Sequence, residues 1–442
     1  MGLTVDQITT LAPDAGSVAA SKKLATLTAW QGLGQNHEAL WGECQGSAIY
    51  QVRVDLSGLT ARCSCPSRKF PCKHSLGLLL LAATVPTALP HGEPPLWVAD
   101  WLSKRAAEKH QKETRTTEKG AVTPEADLLA QGKRADRRLA RVSAGIDGLD
   151  LWMNDLVRNG LAALETQPAT VWDTQAARMV DAQAAGLAGR LRRMAAIPNS
   201  TPDWPDRLLS QLGRLALLIH AFRRLAELPS ALQEDVRTAI GWTLDATEVA
   251  ARGERVSDDW ALVGQRTTED ERVRTQWTWL AGAHTGRYAL ALQFSVGGAP
   301  FPEALAPGTH QQADLIYWPS AYPQRALIAS RRGVPATLAT ESLAGTPSVE
   351  RFLQDVAEAL ARQPWLERFL CLLKDVVPVP HGDIVWVRDG SGAALPLSQG
   401  EHWRLLAFSG GAPVDLAGQW DGERLLPLGL AIDGAYHLLG EG

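Results

Sequence analysis

The stretch RCSCPSRKFPCKHSLGLLLL, from Arg62 to Leu81, holds Cys63, Cys65, Cys72 and His74, which are three of the chain's five cysteines and one of its ten histidines. Thiolate and imidazole are zinc's preferred donors, four to a tetrahedron. The cluster therefore predicts one zinc ion held by three sulfurs and one nitrogen. Its spacing is C-x-C, six residues, C-x-H. Alternate residues of a strand project to the same side, so Cys63 and Cys65 leave the chain together. Pro66 ends that strand, and the loop returns Cys72 and His74 at the entry of an apolar helix. The competing reading is free buried thiols. It suits Cys44, near the cluster, and Cys371, read here as lying on an apolar helix face. It does not suit three thiols and a histidine arranged as two close pairs. All four tetrahedral positions are filled, whereas a catalytic zinc keeps one open. The predicted ion is structural.

The positioning elements are legible around the ligands. Tyr50, Val52, Val54 and Leu56 alternate with polar neighbours, the period of a half-buried strand. Ser57-Gly58 marks a turn and Ala61–Cys65 a returning strand. Ser75–Ala83 is almost wholly apolar and reads as a short buried helix. The ion thus clamps a hairpin to a helix, supplying folding energy to a module with little core of its own. Residues 17–35 read as a short helix and loop. TVPTALPHGEPP, with four prolines, closes the module.

The fold class expected is α+β: a small ββα zinc-finger module over residues 1–95, a charged linker over 96–123, a helical bundle over 124–252, and a Trp-rich, β-rich α+β region over 253–442. In the linker, ETRTTEKGA has no apolar period. Thr123-Pro124-Glu125 is a helix start. Val180, Ala184, Leu187, Leu191 and Met194 form one apolar stripe, and Leu208, Leu212, Leu215, Ile219 and Phe222 another; one-sided stripes pack as a bundle. Beyond Glu254 the period becomes two. Tyr288, Leu290, Leu292, Phe294 and Val296 share a strand face after a turn at His284–Arg287. DLIYWPS, RALIAS and DIVWVRD are further strands, interrupted by a helix over 348–374.

Composition narrows the function classes. No apolar run is long enough for a transmembrane helix, and the N-terminal residues lack a signal-peptide pattern. Five cysteines, three of them clustered, suit a reducing cytoplasm. The formal net charge of −4 conceals an asymmetry: residues 1–141 carry 18 basic and 13 acidic side chains, residues 142–442 carry 26 and 35. An acidic partner would dock on the N-terminal third. Arg62, Arg68, Lys69 and Lys73 flank the ligands with no acid among them, and Phe70 lies between. Two readings stand. The cations grip phosphates while Phe70 stacks on a base, or they offset the anionic zinc–thiolate centre while Phe70 packs in the finger's own core. Lys104, Arg105, Arg134, Arg137, Arg138 and Arg141 add to the case for an anionic partner, but Glu108, Glu113 and Asp136 interleave them and much of the run reads as a solvated helix face, as Arg190, Arg192 and Arg193 read as a solvated surface.

C-x-C-x6-C-x-H after a hairpin and before a helix resembles the SWIM zinc finger. WGECQGS, YQVRVDL, CSCPSRKFPCKHSLGLLLL and MVDAQAAGLAGRLRRM are similar to segments of the bacterial SWIM zinc finger family. The resemblance implies Cys63, Cys65, Cys72 and His74 as the ligands, and binding to DNA or proteins. Family members are encoded near MoxR-type AAA+ ATPases and von Willebrand A-domain proteins, which implies such a protein partner.

The chain has no phosphate loop, no H-E-x-x-H and no G-x-S-x-G. Asp258-Asp259 and Glu269-Asp270-Glu271 read as solvated loops, and isolated histidines such as His220 as core or surface residues. The expectation is a non-enzymatic zinc-binding adaptor. A nucleic-acid-binding protein using Arg62, Arg68, Lys69, Phe70 and Lys73 is the first alternative, and an enzyme with an unrecognised C-terminal site the second.

Overall fold

The computed structural model describes residues 2–105, 107, 125–270, 273–297, 299–339 and 343–439. The sequence ETRTTEKGA, the pair Thr123-Pro124, and Glu271 lie outside the described residues. The N-terminal module begins with a capping box, in which Thr4 and Gln7 satisfy each other's backbone N–H, starting α1 (Val5–Thr10). Asp14 caps α2 (Ala15–Lys22). An antiparallel sheet follows in chain order: β1 (Trp30–Gln35), β2 (Ala39–Gln45), β3 (Ile49–Asp55) and β4 (Thr60–Cys63). The expected hairpin is β3–β4, with Val52 opposite Cys63 and Val54 opposite Ala61. β2 and β1 extend it, β1 where the sequence suggested loop. Glycine conceals β1: a Cβ on Gly34 would sit 2.5 Å from the Trp41 ring, so the position has no side chain to register in an alternation.

The helix α3 (Lys73–Thr84) covers one sheet face, burying Leu76 and the run Leu78–Leu81. A Cβ on Gly77 would meet that of Leu24 at 2.9 Å, so the helix needs glycine there to approach α2 and the segment after it. Residues 96–105 are helical (α4) and cover the opposite sheet face. There Val98 joins Ala39 and Trp41 in a small core, and Arg53 lies over the rings of Trp97 and Trp101. Arg105 pairs with Asp55 at 3.1 Å. The segment expected to open the linker is thus fastened to the finger sheet.

The bundle comprises α5 (Glu125–Asn159), α6 (Thr170–Asp181), α7 (Ala185–Met194), α8 (Trp204–Arg223) and α9 (Ser230–Ile240). The stripe from Leu208 to Phe222 lies in its core as expected. The stripe from Val180 to Met194 is instead two helices, broken at Gln183 with φ 62°. Val180 is 47% exposed, while Leu187, Leu191 and Met194 are buried.

After α10 (Ala246–Arg252), β5 (Arg255–Asp270), β6 (Val273–Gly282), β7 (Tyr288–Val296), β8 (Thr309–Tyr317) and β9 (Arg325–Thr337) close a barrel in the circuit β5-β6-β7-β9-β8. β7 and β9 are parallel and the other pairs antiparallel. First, second, third, fifth, fourth, with third parallel to fifth, is the Greek-key order of an OB barrel. Trp260, Leu262, Leu280, Ala289 and Leu315 fill the interior.

The second C-terminal unit is the sheet β12-β11-β10-β13-β14-β15, built from β10 (Phe369–His381), β11 (Ile384–Arg388), β12 (Ala394–Pro396), β13 (Val414–Trp420), β14 (Leu425–Ile432) and β15 (Ala435–Leu438). α11 (Val349–Arg362) packs on it. The helix expected over 348–374 therefore ends at Arg362, and LCLLK is strand. Cys371 is a fully buried strand residue rather than a helical one. A short apolar run does not distinguish helix from buried strand. The sheet docks on the barrel through Leu370, Leu372, Leu428 and Trp279, whose indole N–H donates to Gln419 at 3.0 Å. The finger module also docks on the barrel. Gln7 donates to the Gly308 carbonyl, Gln311 to that of Ser57 and Arg331 to that of Gly58. Among the described residues no helix is long and apolar enough to cross a membrane.

Candidate metal centre

The four predicted ligands converge. β4 ends at Cys63, but Ser64 keeps the chain extended. Its N–H donates to the Gln51 carbonyl at 3.1 Å and its hydroxyl accepts from the Gln51 N–H at 2.9 Å. Tying the middle residue to β3 leaves Cys63 and Cys65 projecting to one side. Cys72 stands at the N-cap of α3 with extended backbone (φ −76°, ψ 167°), and His74 occupies the first turn. The helix N-terminus carries partial positive charge, which favours a thiolate at that position.

The four donor atoms lie within 4.8 Å of one another. Cys63 Sγ is 3.7 Å and Cys72 Sγ 4.0 Å from His74 Nδ1. A zinc tetrahedron with Zn–S of about 2.3 Å and Zn–N of about 2.0 Å has edges of about 3.6–3.8 Å. The two distances to His74 Nδ1 lie near these edges, and the widest donor separation of 4.8 Å exceeds them by about 1 Å, a contraction that an ion bound by the four would bring about. Cys72 and His74 are buried. Ser75 Oγ lies 3.4 Å from Cys72 Sγ, and the Tyr50 ring lies 4.8 Å from that of His74; both orient the ligands from behind.

The thiols by themselves compete. Hydrogen bonding from Cys63, with help from His74 and Ser75, outweighs burial and draws Cys72 below the usual thiol range. That same contact, together with burial, pushes Cys63 up, and burial raises Cys65. A divalent cation ends the competition, because all three bind it as thiolates. Four protein donors leave no open coordination position, so the ion is structural. Cys44, buried in the module's main core, is a packing residue.

The basic loop has separable members. Lys69 is tied to Asp14 at 2.8 Å. Arg62, Arg68 and Lys73 are exposed. Phe70 is 39% exposed and so does not fill the module's core. Sequence reasoning did not single out Ser64, Ser75 or Tyr50, because a hydroxyl behind a ligand has no spacing rule of its own.

The acidic pairs are not what the sequence suggested. Asp258 and Asp259 lie on β5, not in a solvated loop. The Asp258 side chain is 0% exposed and accepts from the His284 ring and N–H and from the Thr285 N–H and hydroxyl, fastening the β6–β7 turn to β5. Asp259 pairs with His310 at 2.8 Å. Glu269 and Asp270 end β5, and His220 is exposed on α8.

Residues 50–83 match the family model of the SWIM zinc finger, and residues 137–240 that of the SWIM-associated four-helix bundle domain. The chain thus contains a SWIM-type zinc finger and a SWIM-associated helical domain. Its finger is the hairpin β3–β4 with α3, and its partner domain is the bundle. No curated protein and no solved structure matches the chain.

Proposed function

We propose that the chain is a non-enzymatic adaptor in which zinc holds the finger as a rigid presenting surface for a protein partner. The observation that carries this reading is the contrast between the two sides of the finger. One side is fixed to the barrel through the carbonyls of Ser57 and Gly58, while Arg62, Arg68, Phe70 and Lys73 face solvent on the other. A loop held by metal on a docked scaffold loses little entropy when it meets a partner. The family resemblance points to a MoxR-type AAA+ ATPase or a von Willebrand A-domain protein. The test is pairwise binding of the purified chain to those two proteins from the same genome. Binding that is lost in Phe70→Asp, with zinc content unchanged, supports the reading; failure of both proteins to bind defeats it.

A second reading, nucleic-acid binding at the same loop, is favoured by exposed Arg62, Arg68 and Lys73 beside an exposed aromatic ring. It requires duplex or single-strand affinity that falls steeply with salt and is lost when these three become Ala.

A further inference from the structure

The barrel carries an exposed aromatic surface of its own. On β6 and β7 the residues whose neighbours fill the interior point outward: Trp279 and Leu290 are covered by the C-terminal sheet, but the strands run on past its edge. There Phe294 is 50% and Val296 61% exposed. Thr275 pairs with Phe294 and Trp277 with Leu292 across the strands, placing Trp277 and Phe294 as diagonal neighbours on one face. Arg266 on β5 is directly opposite Trp277 and exposed. From the other side Arg368 lies over the Trp277 ring, 5.2 Å from its centroid.

The charge behind this surface is unbalanced. Glu367 forms ion pairs with Arg190 at 2.8 Å and Arg193 at 2.9 Å. Burial raises its carboxyl pKa, but Arg190, Arg193, Arg368 and Arg214 together outweigh it and hold the group below the usual range. Four guanidinium groups thus act on one carboxylate, and Asp421 adds a weaker attraction at Arg368. Burial works against the charged form of Arg368, so an added anion would be favoured there. The only acids on the exposed stretch of β5, Glu269 and Asp270, lie at its far tip.

We propose that this face binds a single-stranded nucleic acid, with bases stacking on Phe294 and on the Trp277–Arg368 unit and phosphates meeting Arg266, Arg368 and Arg193. Aromatic platforms beside cations are how strands are held without sequence readout. The second and third strands of an OB barrel are a face able to present them. Fold alone assigns no function; Phe294, Trp277 and the arginines beside them carry this one. It is independent of the finger.

The test uses the full-length zinc-loaded chain and fluorescein-labelled oligo(dT) and oligo(rU) of about twelve nucleotides, with a duplex of equal length, followed by anisotropy across a salt series. The expectation is single-strand binding that Phe294→Ala weakens about tenfold and Phe294→Trp preserves. Arg266→Ala should lower the slope of log affinity against log salt by about one. Phe294 is exposed, so its loss leaves the fold intact even where Trp277→Ala does not. Arg68→Ala with Lys73→Ala should leave this binding unchanged. No single-strand binding at low salt, equal binding of the duplex, or indifference to Phe294→Ala and Arg266→Ala overturns the proposal. Loss in the finger variant alone overturns it too and supports the finger loop instead.

Discussion

Replacing Cys72 by Ser removes one of four ligands from a buried position. Zinc in finger peptides supplies about 10–16 kcal/mol of folding energy, as much as the whole stability of an ordinary domain, about 5–15 kcal/mol. The module has a core of its own around Leu40, Val52, Val54 and Leu76–Leu81, but the core depends on α3 lying across β3 and β4, and the ion fixes that junction. The bundle core, around Leu187, Leu191, Leu208 and Leu215, is a separate cluster. Metal loss should therefore be local. The helices α1, α2 and α3 hold 6, 8 and 12 residues, whereas α5 and α8 alone hold 35 and 20. With α4 over residues 96–105 resting on the same sheet, Cys72→Ser, or chelation, should then remove only about a quarter of the helical circular-dichroism signal, in a transition separate from the bundle's. Hydrogen exchange should lose protection in residues 5–105 and keep it in 137–240. The wild type should contain one zinc per chain by elemental analysis. Absence of stoichiometric metal would refute the site, and collapse of protection in the bundle would refute the independence of the two cores.

Three further outcomes follow from the packing. Burial raises the Asp258 carboxyl, but hydrogen bonds from Thr285 and His284 overcome it and set it at about 2. A carboxyl depressed on folding stabilises above its unfolded pKa and loses that contribution as pH falls, so Asp258→Asn should cost about 2 kcal/mol in urea unfolding at pH 7, and the difference should shrink between about pH 4 and pH 2. Asp235 is the opposite case: burial, only partly offset by hydrogen bonds from Ser320 and the Ala321 N–H, raises it to about 6. Its contribution is present below about pH 4 and lost as pH rises through 6, so Asp235→Asn should gain about 2 kcal/mol at pH 8 and nothing at pH 4. A Cβ on Gly186 would lie 2.3 Å from the Ala239 carbonyl oxygen, whereas one on Gly148 meets nothing. Thermal melts should show Gly186→Ala destabilised by about 2–3 kcal/mol and Gly148→Ala slightly stabilised.

The metal centre was legible because its chemistry is local: two pairs of donors, a proline stop and an apolar helix occupy one short stretch. The strand face from Tyr288 to Val296 was legible for the same reason, since period two survives in β7. What escaped notice depends on contacts distant in sequence. β1 is masked by Gly32 and Gly34. LCLLK reads equally as helix or strand until β13 lies beside it. Asp258 and Asp259 look solvated until the β6–β7 turn folds onto them. Val180 completes a helical period that the chain abandons three residues later, at a left-handed turn.

The bond from Gln7 to Gly308 joins residues 301 positions apart. A ribosome working at about 5–20 residues per second needs some tens of seconds to produce the barrel against which the N-terminal module rests. During that interval a ribbon with open edges and a leucine-rich helix would otherwise be exposed to aggregation. A cation already in the surroundings can close the junction as soon as His74 emerges, so metal availability during translation becomes a determinant of yield.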